Sequence, residues 1–293
     1  MNTTKRHVLV ARLWAGMAAL LVTSGIVAVT APAAGAAGSN TLTVTAGEYT
    51  YQFKGSPKAG LTQINFVNSG VETHMMAVSR LKPGVTVAQL KAALLSQEPN
   101  AGQDLLVGDG NVGATPGLLG PGKKTGIITK LPSGHYGVFC FLPAPDGRPH
   151  VAHGMVKTFD VAKGKSNLTA PTDGVIKVDL TDTSAAIPAT LPAKGYAKFT
   201  NSSSTVRSVG MADLQPGVTV QQADAYFNTL FGGSAPPEGQ PPALLAGGFE
   251  SLPKGASVYL VLQFEKGHYG YSSNNPDLPD NDPNPVLGEF TVK

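Results

Sequence analysis

From residue 42 onward, apolar and polar positions alternate in short runs broken by Gly and Pro, and the runs are rich in β-branched and aromatic residues. Leu42 to Phe53 opens the pattern, with Leu42 and Val44 set against Thr43 and Thr45. Ile64 to Asn68, Ile127 to Leu131, Tyr136 to Phe141 and Met155 to Val161 continue it. Period-two runs between turn residues predict strands with one buried face. One stretch departs from the pattern. Val85 to Ser96 carries Leu90, Leu94 and Leu95 at helical spacing after the Pro83-Gly84 turn, which predicts one inserted helix. Short strands, frequent turns and a single helix point to an all-β sandwich.

The pattern is then written a second time. Leu81-Lys82-Pro83-Gly84-Val85-Thr86-Val87 returns as Leu214-Gln215-Pro216-Gly217-Val218-Thr219-Val220, and Gly134-His135-Tyr136-Gly137 returns as Gly267-His268-Tyr269-Gly270. Phe66-Val67-Asn68-Ser69 returns as Phe199-Thr200-Asn201-Ser202, so three stretches share a shift of 133. This is an internal duplication. It predicts sandwiches over 41–163 and 173–293, joined by a polar, Gly- and Pro-containing linker from Lys163 to Asp173, with a second helix from Val218 to about Leu230.

Composition adds a location. Lys5, Arg6 and Arg12 precede an apolar run from Leu13 to Val29 and then Ala34-Gly35-Ala36, so residues 1–36 read as an export signal with a small-residue cleavage site. An uncleaved anchor is the alternative, which would leave the protein associated with the cell envelope. Setting those three basic residues aside leaves 19 basic against 19 acidic residues, a balance that offers nucleic acid no footprint. No later run is apolar enough for a stable membrane span.

Outside the cytoplasm a lone cysteine must be buried, paired with another chain or held by a metal. Cys140 is the only cysteine. Upstream lies His74, and downstream follow His150, His153 and Met155. The order His, Cys, His, Met supplies two imidazoles, a thiolate and a thioether, the donor set of a mononuclear copper site with a weak axial ligand. Under the 133 shift His74 falls on Arg207 and Cys140 on Ser273, so the second copy lacks the donors. The acidic stretch Asp277 to Asp282 stands where its loop would be and reads as solvated. His135 has its counterpart in His268, where no donors exist, and both read as structural.

These residues resemble the cupredoxins, the type 1 blue-copper β-sandwiches, and within them secreted bacterial plastocyanin-like proteins whose loop reads C-x-x-P…D-G-x-P-H-x-x-x-G-M. The match is Cys140-Phe141-Leu142-Pro143, Asp146-Gly147-Arg148-Pro149-His150 and Gly154-Met155. The resemblance covers the first repeat and extends to the second as scaffold. It implies two tandem Greek-key sandwiches and one Cu(I)/Cu(II) ion held by His74, Cys140, His150 and Met155. The gap from Cys140 to His150 is longer than in plastocyanins or azurins, and His153 stays open as the alternative to His150. The function implied is one-electron transfer to a redox partner protein rather than catalysis. Two other readings remain: copper binding for storage or delivery, and a structural sandwich with a vestigial site. A multicopper oxidase would need about eight histidines for its trinuclear centre, and only five lie beyond residue 36.

Overall fold

A computed structural model of the chain describes residues 40–98, 100–231, 239–276 and 285–293. The export segment at 1–36 and the acidic stretch at 277–282 lie outside the described residues. The first half runs β1 (Thr41–Gly47), β2 (Thr50–Lys54), β3 (Gly60–Asn68), β4 (Ala77–Leu81), α1 (Val87–Leu95), β5 (Thr115–Pro116), β6 (Lys124–Leu131), β7 (Gly134–Phe139) and β8 (Val156–Val161). The second runs β9 (Ile176–Leu180), β10 (Thr190–Leu191), β11 (Lys194–Asn201), β12 (Arg207–Leu214), α2 (Val220–Phe231), β13 (Ala243–Leu252), β14 (Ser257–Gln263), β15 (Gly267–Asn274) and β16 (Val286–Val292). The fold is nearly all β, as the alternation implies.

The alternation places the cores. Leu42, Val44 and Ala46 face inward along β1 while Thr41, Thr43 and Thr45 lie half-buried between them. They pack with Ile64, Phe66 and Ile127 against Tyr136, Val138 and Phe159, and Val178, Phe199, Val258 and Leu260 meet Val209, Phe249, Tyr269 and Phe290 in the same way. Each sandwich pins a tyrosine identically. Tyr136 donates its hydroxyl to the Pro132 carbonyl at 2.6 Å, and Tyr269 donates to Glu265 at 3.1 Å. The Gly-His-Tyr-Gly motif acquires a reason here. A side chain at Gly137 would strike Leu90 of α1, and one at Gly270 would lie 2.8 Å from Val220 of α2. His135 Nε2 donates to the Val85 carbonyl ahead of α1 at 2.9 Å, and its other nitrogen lies 2.7 Å from Asp160. His268 sits 3.0 Å from Glu289, whose other oxygen accepts the Val220 N–H at 2.7 Å. Both histidines therefore tether a helix start.

Two findings differ from the sequence reading. The run from Leu42 to Phe53 is two strands, β1 and β2, folded back on Glu48 and Tyr49 with Gly47 opposite Thr50. Neither central turn residue is Gly or Asn, the usual signal for so tight a hairpin, because Tyr49 itself adopts φ 58°. The linker is also no free tether: the Ser166 N–H donates to the Ala59 carbonyl and Leu168 is buried against Ile128 and Val261.

Strands of both halves meet in two sheets. One seven-stranded sheet runs β2-β1-β3-β6-β14-β11-β9, and β5 joins β13 at the edge of a six-stranded sheet. Ile127 pairs with Leu260 and Pro116 with Phe249, in each case a residue facing its own counterpart 133 positions on. A local pseudo-twofold axis thus passes through both contacts, as in an isologous dimer interface.

Candidate metal centre

His74 sits beyond β3, on the segment leading to β4. Its backbone N–H and carbonyl each bond Leu119 at 2.9 Å, and the Asn68 amide ties the segment by donating to the carbonyls of Glu72 and Leu119 at 2.7 and 2.9 Å. Leu119 in turn bridges Ala246, so the second half braces this ligand arm. Cys140 follows the last residue of β7. The loop after it is a small hairpin: His150 donates its N–H to Leu142, Ala144 donates to Arg148, and Gly147 takes φ 80° at the tip. That hairpin absorbs the long gap between Cys140 and His150. A tight turn then carries Met155 back, its N–H bonding the His150 carbonyl at 3.0 Å and its carbonyl the Cys140 N–H at 3.2 Å.

The side chains converge. His74 Nδ1 lies 3.2 Å from His150 Nδ1, which lies 3.3 Å from Cys140 Sγ. All three residues are buried, and among the described residues they form the one group of histidine, cysteine or carboxylate donors close enough to share an ion. Donors about 2.0 Å (imidazole) and 2.3 Å (thiolate) from a common ion stand a little over 3 Å apart, so the present spacing fits a metal with small rearrangement. Met155 is fully buried in the core cluster that holds Cys140. His153 is placed elsewhere. Its Nε2 lies 3.0 Å from Asp146, its Nδ1 lies 3.3 Å from the Arg148 guanidinium, and its ring stacks on Tyr49.

Electrostatics follow from burial. The Cys140 thiol is pushed up to about 11, partly opposed by backbone groups of Met75 and Leu142, so an incoming metal must displace its proton. His74 is lowered to about 4, first by burial and then by the neighbouring His150, and burial also lowers His150 against the pull of Glu72. Both imidazoles are thus neutral and ready to bind at neutral pH. Each turns its Nε2 toward a carboxylate: Glu72 Oε2 lies 2.9 Å from His150, and Glu48 Oε1 lies 3.8 Å from His74. Glu72 at that distance orients the His150 imidazole and raises its basicity, while Glu48 acts on His74 by charge alone. Glu48, Glu72 and Tyr49 were not foreseen. The one signal for Glu72 was its place two residues before His74.

The second half shows what replaces the donors. Arg207 stands for His74, buried and within 3.7 Å of Asp182, while Ser273 stands for Cys140 and is likewise buried. Asn201 repeats the brace of Asn68, donating to the Thr205 and Leu252 carbonyls at 2.8 Å each.

No family model and no curated protein matches the chain. Solved structures do. A dithionite-reduced auracyanin from the photosynthetic bacterium Roseiflexus castenholzii is 26% identical, covering 43% of this chain and 98% of its own, with a TM-score of 0.30. A multicopper oxidase is 12% identical, covering 86% of this chain and 88% of its own, with a TM-score of 0.25. A Cu-containing nitrite reductase from Thermus scotoductus SA-01 is 12% identical, covering 86% of this chain and 61% of its own, with a TM-score of 0.22. The class rests on the chain's own fold and donors. A β-sandwich whose strand-end loops bring two imidazoles and a thiol together has the architecture and the donor types of a cupredoxin-like copper protein.

Proposed function

We propose that the protein is an extracytoplasmic type 1 copper carrier of single electrons, in which His74, Cys140, His150 and Met155 would hold the ion. The observation that carries this reading is the buried His–Cys–His cluster, with His74 held by backbone bonds to Leu119 and with Cys140 and His150 both bonded to Met155. Copper supplies the one-electron couple. The chain keeps the donors in one arrangement for both oxidation states, so that little rearrangement accompanies electron transfer. Backbone groups beside the Cys140 sulfur and the surrounding apolar core tune the potential. Its partner is a redox protein, and the chain itself transforms no substrate. Among the described residues no helix is long and apolar enough to cross a membrane.

The test is Cu(II) addition to the purified protein and to Cys140→Ser, read by visible absorption and electron spin resonance. An intense blue thiolate-to-copper band with narrow hyperfine splitting, absent from the variant, is expected. A pale complex indifferent to Cys140 would refute the carrier and leave copper storage.

A further inference from the structure

The β1–β2 hairpin tip is odd in a specific way. Tyr49 occupies the left-handed region at φ 58°, where a bulky aromatic is strained and glycine is at ease. Strain of this kind persists where surrounding contacts hold it and points toward a functional site. Those contacts are present. The Tyr49 hydroxyl donates to Glu72 Oε1 at 2.8 Å, and the other oxygen of the same carboxylate lies 2.9 Å from His150 Nε2. The Tyr49 ring meets His150 edge-on with centroids 5.1 Å apart and stacks on His153 at 4.6 Å. Behind this arrangement His150 is only 1% exposed.

The duplicated half separates scaffold from site. The β1–β3 and β9–β11 registers place Glu48 and Tyr49 opposite Asp182 and Thr183 in the repeat. Asp182 accepts the Ser204 N–H at 3.0 Å just as Glu48 accepts the Val71 N–H at 2.6 Å, so that link from the tip to the neighbouring loop belongs to the scaffold. The phenol and the Glu72 carboxylate do not recur: Thr183 and Thr205 stand in their places, and Thr183 is not in the left-handed region. The tyrosine, its strain and the bridging carboxylate occur only where the metal donors occur.

We infer that Tyr49 and Glu72 form a cap over the ligand His150, Glu72 positioning the imidazole and the Tyr49 ring barring small redox agents from its edge. The inference rests on the copper reading above. A small solvent-borne oxidant then cannot touch the ligand ring. Tyr49 and Glu72 are positioning residues and bind no metal themselves.

Tyr49→Gly provides the test, because glycine removes the ring and suits the backbone the tyrosine strains to adopt. The full chain, wild type and variants, is loaded with copper, reduced with dithionite, freed of excess reductant and mixed with hexacyanoferrate(III) in a stopped-flow spectrometer. One electron passes from Cu(I) to the ferric complex, leaving Cu(II) and the ferrous complex. Tyr49→Gly should keep the Cys140-dependent band and react about tenfold faster, whereas Tyr49→Phe, which keeps the ring, should stay within about twofold of wild type. Glu72→Gln should raise the reduction potential, since a carboxylate behind the imidazole favours Cu(II). An unchanged Tyr49→Gly rate with the band intact overturns the cap and leaves the carrier reading standing. A wild-type protein with no such band overturns the carrier reading itself.

Discussion

Glu250 offers a quantitative test of how the two halves meet. It lies on β13 opposite Thr115 and lines a cleft of about 460 Å³ between the halves, beside Met75, Met76, Val112 and Phe139. Among the described residues, no lysine, arginine or histidine lines that cleft. Burial pushes the Glu250 carboxyl up from 4.5 to about 7, opposed by a hydrogen bond with Ser208. The folded protein therefore holds this proton between pH 4.5 and about 7 while the unfolded chain has released it. A folded state that binds more protons loses stability as pH rises. The contribution is complete below pH 4.5, fades through that window and is gone above about 7. A shift of that size corresponds to about 3 kcal/mol. The residue retains some exposure, so about 2 kcal/mol is the expected loss.

Glu250→Gln cannot ionise and should remove this term. Metal-free wild type and variant are unfolded in guanidinium chloride at half-unit steps from pH 4 to 8. Every other titrating group is common to both proteins, so their difference isolates Glu250. The variant should match the wild type near pH 4 and exceed it by about 2 kcal/mol at pH 8, with the rise centred between the two pKa values. Parallel curves across the whole range would refute the reasoning. They would mean that water reaches the carboxylate and that the halves do not pack closely around it.

Two further substitutions separate the site from its scaffold. Gly70→Ala places a methyl group against the Glu48 carboxylate and 2.9 Å from His74 Nε2, so copper affinity should fall by about tenfold or more in a titration of the thiolate band. The fold should tolerate the change, because Ser203 stands at the matching position of the repeat. Asn68→Ala and Asn201→Ala each delete a buried amide with two carbonyl partners and should cost about 1–3 kcal/mol in chemical denaturation. Only Asn68→Ala should also weaken copper binding, since only its loop carries a ligand; equal loss of copper in both would contradict that division.

What could be read from the sequence depended on how far apart the interacting residues lie. The strands were legible because alternation is a local signal, and the grouping of Cys140 with His150 because the two share one short loop. His74 joined them by residue type and order. A tight turn parts His150 from His153, setting the first beside Cys140 and turning the second toward Asp146. The cap was illegible. Tyr49 meets Glu72 across 23 positions, and its hairpin carries none of the usual turn residues, so β1 and β2 read as one strand. The contact between the halves was hidden for a related reason. Ile127, Leu260, Pro116 and Phe249 belong to no motif, and only the assembled sheets show that each faces its own counterpart.

That symmetry gives the second half a physical role. In a single sandwich β6 would be a sheet edge with unpaired backbone groups open to another chain, and β5 would have no strand partner. Here β14 covers the first and β13 the second. The same joint reaches the metal centre, because Leu119 bonds His74 on one side and bridges Ala246 on the other. A covalently attached counterpart holds this brace at every protein concentration, whereas a dimer would lose it on dilution. The second half can do this without donors of its own. Arg207 and Asp182 span the position of the missing site, and the Asn201 brace keeps its loop in the arrangement that Asn68 enforces around His74.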